Sequence, residues 1–199
     1  MPKEFRQLFR AGDITNNVVL NFTHSPKGEL SIQGKAYHRA AKVLVQHFAA
    51  QAGYNDFDGY PVVFMYRQAL ELLLKAILLS GNKLATCLNR SNLETPEKTL
   101  FNTHGLSCHL PTLKSIFEVV GWQDAFEHAG LSNPDFETII QEFQNFDPTS
   151  YAFRYTVKRM EQQHFPNISC FLQSNSLRSS TRFLRDYGAL ASGWKSISI

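Results

Sequence analysis

Apolar residues recur at three- and four-residue intervals in several long segments of the chain, the period of helices that bury one face. Between Ser31 and Gln51 the positions Ile32, Ala36, Ala40, Val43, Leu44, His47 and Phe48 fall on one stripe, which predicts a helix with Ser31 as its N-cap. A turn-rich GYNDFDGY at 53–60 leads into PVVFMYRQALELLLKAILLSGN, which is apolar nearly all round and so predicts the central helix of a bundle. Pro61 suits its first turn and Gly81 its stop. After a polar connection at 82–103, LPTLKSIFEVVGW (110–122) predicts another helix, buried through Leu113, Ile116, Phe117 and Val120. Asn133 and Pro134 form an N-cap and first-turn pair for a helix with Phe136, Ile139, Ile140 and Phe143 inside, ending before Asp147-Pro148. Periodicity is poor at 151–175, and a last helix is expected at 174–190 through Leu177, Phe183, Leu184 and Tyr187.

The β-like run VVLNF at 18–22 precedes a turn-rich HSPKGE, which makes residues 1–30 an irregular N-terminal arm. The expected architecture is therefore all-α: an up-and-down helical bundle of about five helices, with residues 31–199 as one domain behind the arm.

Composition narrows this picture more than it extends it. With 199 residues, 43% of them apolar, the chain is long enough for one real core. Twenty basic against 17 acidic residues leave a net charge of only +3, so any site for an anion is local. Cys87, Cys108 and Cys170 lie far apart with no CxxC, which fits reduced thiols, and MPKEFRQLFRAGD lacks the apolar core of a secretory signal. A cytoplasmic chain is the expectation. The central helix approaches membrane-spanning length, but Arg67, Glu71 and Lys75 would each cost about 2.5 to 3.5 kcal/mol at a bilayer centre, so no membrane partner is expected.

Those same three residues are the first candidates for chemistry. Spaced by four, they share one helix face, and two readings stay open: an exposed salt-bridged stripe, or paired charges buried at a polar cleft in which Arg67 and Glu71 face a ligand. His104 and His109 flank Cys108, but Cys87 and Cys170 are too isolated to complete a zinc set, and no Gly-rich phosphate loop, GxSxG or HExxH occurs. No metal or cofactor is predicted. A second concentration of cationic and aromatic residues runs from Asp147 to His164 and includes Arg154, Tyr155, Arg159 and His164. There Arg154 and Tyr155 suit phosphate contact with base stacking, against the alternative that Phe153 packs in the core and Arg154 pairs with Glu71 or Asp147.

YRQALELLLKAILLSGN, THGLSCHLPTLKSIF and DPTSYAFRY, in that order across roughly residues 36–155, resemble a bacterial branch of the HEPN superfamily, the higher-eukaryote and prokaryote nucleotide-binding helical domains. The resemblance implies an up-and-down bundle, often a homodimer, in a superfamily with many metal-independent RNases of toxin–antitoxin, anti-phage or RNA-processing systems. Other members bind ligands or act as scaffolds. It implies RNA or a nucleotide as partner and, for a toxin, a neutralising partner protein. The nuclease hallmark, Arg and His separated by four to six residues, is matched by Arg159 and His164 in RMEQQH, although Met160 stands where a polar residue usually follows the Arg. In that reading Arg154, Arg159 and His164 are catalytic, with Arg67, Glu71, Tyr155 and His104 as ligand contacts. An imidazole that titrates near neutrality and an arginine fork that holds phosphate are the groups such a reaction needs. The rival expectation is a non-catalytic helical module that dimerises or docks a partner through its aromatic-rich surface.

Overall fold

A computed structural model describes residues 29–50, 56–121 and 136–155. Six helices lie among them: α1 (Leu30–Ala49), α2 (Gly59–Leu88), α3 (Glu97–Asn102), α4 (Leu110–Val119), α5 (Phe136–Phe146) and α6 (Ala152–Tyr155). No strand occurs among the described residues, and the all-α bundle is the observed class. The β-like run at 18–22, the Asn133–Pro134 pair, Arg159, His164 and the helix expected at 174–190 lie outside the described residues.

The centre of the bundle is α2, thirty residues long, packed against α1, α4 and α6. Val62, Tyr66, Leu70, Leu74 and Leu78 are buried along it, and each such side chain contributes about 1.5 to 3 kcal/mol on leaving water. Leu113, Ile116 and Phe117 of α4 and Ile139, Ile140 and Phe143 of α5 join the same core, with the Phe117 and Phe136 rings stacked at 6.2 Å.

Two glycines set how closely the helices meet. A Cβ on Gly34 would stand 2.9 Å from Leu73 Cγ and 3.2 Å from the Ala69 carbonyl oxygen, so α1 crosses α2 almost backbone to backbone. Gly81 does not stop α2 but lies buried inside it, where a Cβ would collide with Ile116 of α4. The stop comes at Asn89, whose φ of 53° is the left-handed conformation that asparagine tolerates, and Arg90 N–H donates back to the Ala85 carbonyl at 3.0 Å.

α1 begins one residue before the expected Ser31 cap, and the N-cap position is Glu29, whose side chain makes no cap hydrogen bond. Its inner face is Leu30, Gly34 and Ala41, with Val45 and Phe48 packed against the core. The stripe expected to be buried instead points outward at most positions: Ile32 is 61% and Val43 63% exposed, and Ala36, Ala40 and His47 are exposed with them. The crossing at Gly34 decides this, because only a residue without a side chain fits there and it fixes which face of α1 turns inward.

Side-chain amides pin the irregular connections. Asn82 donates through Nδ2 to the Thr95 carbonyl and accepts from Thr95 N–H, both at 2.7 Å. Gln144 Oε1 accepts from the N–H groups of Leu106 (2.7 Å) and Ser107 (3.3 Å), which fastens the start of the α4 approach to α5. No helix among the described residues is long and apolar enough to cross a membrane.

Gly81→Ala gains about 1 kcal/mol of helix propensity but overpacks the α2–α4 contact, which typically costs about 1 to 3 kcal/mol. Urea denaturation should show a net loss of stability for Gly81→Ala. An equal or higher midpoint would show that Ile116 moves aside freely.

Candidate functional site

The face of α2 that carries Arg67, Glu71 and Lys75 is buried, which rules out the exposed-stripe reading. Arg67 is 0% exposed, and Glu71 and Lys75 are buried beside it. A bare guanidinium in such a place costs many kcal/mol unless its hydrogens find acceptors. Nη1 donates to Glu71 Oε2 at 2.9 Å, Nη2 to the His104 carbonyl at 2.8 Å, and Nε to the Asp147 carbonyl at 3.2 Å. Asp147 Oδ2 stands 3.3 Å from the same Nε, an ion-pair distance without a directed hydrogen bond. Arg67 therefore joins α2 to two loops that follow it in sequence by 37 and 80 residues.

Glu71 completes the set from its other oxygen. Its Oε1 accepts from Lys75 Nζ at 2.9 Å and lies 2.9 Å from His104 Nδ1. Burial alone pushes this carboxyl up, but the hydrogen bonds of Lys75 and His104 and the charges of Lys75 and Arg67 outweigh it and hold its pKa below the usual carboxylate value. Two cations, Arg67 and Lys75, thus face two carboxylates, Glu71 and Asp147, and the buried network has no net charge. His104 is its one outlet to solvent, with a side chain 51% exposed.

Asp147 organises the second loop. Proline directly after aspartate favours a tight turn, and Ser150 N–H closes it on the Asp147 carbonyl at 3.4 Å. Asp147 Oδ1 then accepts from the N–H groups of Tyr151 (2.6 Å) and Ala152 (3.0 Å), satisfying donors at the start of α6 that no helical carbonyl can reach. Ser150 takes φ 59°, an uncommon left-handed backbone for serine, and its carbonyl accepts from Arg154 Nε at 2.6 Å. The Arg154 guanidinium also lies over the Phe64 ring of α2, 5.7 Å from its centroid. Arg154 is exposed and has no carboxylate partner among the described residues, so the expected pairing with Glu71 or Asp147 belongs to Arg67 instead. Phe153 packs against the core as that same expectation held.

The two loops meet. Gly105, next to His104, stands within 3.8 Å of the Pro148 carbonyl oxygen, measured from the position its Cβ would occupy. His104 thus lies on one loop clamped by the Arg67 guanidinium, and Arg154 on the short helix α6 that follows the other. Tyr155 lies at the end of α6. His109, buried at the start of α4, has an Nε2 with no protein partner among the described residues; burial first, and then the Lys75 charge, lower its pKa. Cys108 Sγ donates to the Gly105 carbonyl at 2.9 Å, and no cluster of three or more metal-ligating side chains exists among the described residues.

Sequence spacing picked out Arg67 and Glu71, and the family resemblance His104, but neither gave the anchoring role of Asp147 or the placement of Lys75 on the carboxylate that touches His104. The available signal was the Asp-Pro pair, which marks a turn but not what the turn binds. No family model, curated protein or solved structure matches the chain.

Two outcomes follow from this geometry. Arg67→Met leaves Glu71 and Asp147 short of a buried countercharge and should cost about 3 to 5 kcal/mol in urea unfolding, with Arg67→Lys unable to rescue it because an ammonium cannot fork to these acceptors. Stability should also fall with acid in two steps. His38, lowered by burial and by Lys42, and His109 both have folded pKa values below their ordinary 6.5, so the unfolded chain takes up those protons first and stability drops as pH falls below about 6.5. Glu71, lowered from 4.5, adds a second loss as pH falls through its folded value. Urea midpoints measured across this range check the order, and a His38→Gln, His109→Leu double variant should lose the upper step only.

Proposed function

We propose that this chain is a HEPN-like helical protein that engages RNA or a nucleotide at the rim carrying His104 and Arg154. With Arg159 and His164 it acts as a metal-independent RNase. The observation that supports this best is the contrast between two arginines. Arg67 has donors on protein acceptors inside the core, whereas among the described residues Arg154 commits only Nε, to Ser150, and is exposed. A guanidinium held in place by a backbone carbonyl and an aromatic face, with no carboxylate partner among the described residues, suits a phosphate group.

The order of the three HEPN-like segments points to the class, and an RNase of that class points to toxin–antitoxin or anti-phage systems, with a homodimer and a neutralising partner protein as its company. The partner-docking module is the second reading. Its support is the outward strip of α1, where Ile32 and Val43 are exposed side by side with alanines.

Purified protein incubated with total RNA, with and without EDTA, tests the proposal. Cleavage should persist in EDTA and disappear in Arg159→Ala and His164→Ala. Arg154→Ala, at an exposed position, should keep the circular-dichroism spectrum and bind single-stranded RNA about 10- to 100-fold more weakly, the loss of one charged contact of about 1.5 to 3 kcal/mol. Unchanged binding and cleavage in all three variants would reject the assignment, and a wild type that neither binds nor cuts RNA would favour the docking module.

A further inference from the structure

His104 has a second property that its place at the rim does not require. Both oxygens of Glu71 are engaged, Oε2 by Arg67 and Oε1 by Lys75 and His104, and the carboxyl is kept ionised by its cations. An ionised carboxylate can only accept hydrogen bonds. The 2.9 Å contact with Nδ1 therefore requires the hydrogen to be on Nδ1, whether the ring is neutral or protonated. In the neutral ring Nε2 then carries the free lone pair, and no protein partner for it occurs among the described residues. A buried carboxylate fixing one imidazole nitrogen while the other faces solvent is the arrangement that makes a histidine a directed base.

We infer that His104 is a catalytic proton acceptor, with Glu71 and Lys75 as positioning residues, acting on a ribose 2′-hydroxyl beside the phosphate that Arg154 holds. This rests on the RNA-binding reading above. In the step, Nε2 takes the proton of the 2′-hydroxyl, the O2′–P bond forms and the P–O5′ bond breaks. The leaving 5′-oxygen takes a proton from water, and the products are a 2′,3′-cyclic phosphate and a 5′-hydroxyl. Lys75 is placed to keep Oε1 negative: with Arg67 alone, the buried carboxylate would have one cation on Oε2 and none on the oxygen that meets His104.

Nitrogen-15 NMR of the histidine side chains tests the tautomer without any RNA. Wild type should show Nδ1–H and an unprotonated Nε2 for His104 at mildly alkaline pH; Nε2–H as the main form overturns the inference. Glu71→Gln, where it folds, should lose the single tautomer, because an amide can donate as well as accept. His104→Gln changes a half-exposed side chain, so the fold should survive. At labelled single-stranded RNA concentrations that saturate each protein, it should form 2′,3′-cyclic phosphate ends about 10²- to 10⁴-fold more slowly than wild type. If the wild type does not bind this RNA, the RNA reading itself fails. If it binds but His104→Gln cuts at the wild-type rate, or neither protein cuts, the RNA reading stands and the role of His104 is refuted.

Discussion

One guanidinium holds together the part of this molecule that matters most. Arg67 gives up water completely and in exchange binds a carboxylate on its own helix and the carbonyls of His104 and Asp147 on two loops. Loops are poor at holding their own shape, because their backbone groups lack the regular partners of a helix. Here their positions are borrowed from α2, the longest helix among the described residues and the one with the most buried side chains. The left-handed Ser150, the Asp147 cap on α6 and the placement of Arg154 all follow from where that guanidinium pins the second loop.

The same network explains why a charged cluster survives in an apolar core. Its cost is the desolvation of four ionised groups, and its compensation is the directed hydrogen bonds from Arg67 and Lys75 to Glu71, the ion-pair approach of Asp147 to Arg67, and charges that cancel. A hydrophobic replacement of the whole set could match it in stability but could not orient an imidazole at the surface. That difference is what the cluster adds to the fold beyond stability.

Much of the architecture was legible in the chain. The long apolar run of α2, the inner faces of α4 and α5 and the stop before Asp147-Pro148 follow from period and turn chemistry, and the four-residue spacing of Arg67, Glu71 and Lys75 correctly put them on one face. The failures share one cause. α1 presents its strongest apolar residues, Ile32 and Val43, to solvent because the contact with α2 is made by Gly34, Leu30 and Ala41, and small residues carry little hydrophobic signal even where they decide the packing. Gly81 looked like a helix end for the same reason. What Arg67 touches beyond Glu71 could not be read, since periodicity reports neighbours three or four residues away and its loop partners lie much further along the chain.

The outer surface of α1 has a consequence for how copies of this protein treat one another. Lys35, Arg39 and Lys42 run beside Ile32, Ala36, Ala40 and Val43, and the helix contains no acidic residue. Two such surfaces brought together would set ammonium and guanidinium groups against their own kind within a Debye length, so the greasy strip is guarded by its flanks much as gatekeeper charges guard an aggregation-prone segment. Self-adhesion through this helix is weakest in dilute buffer and grows as added salt screens the repulsion, so the colloidal behaviour of the protein is tied to ionic strength.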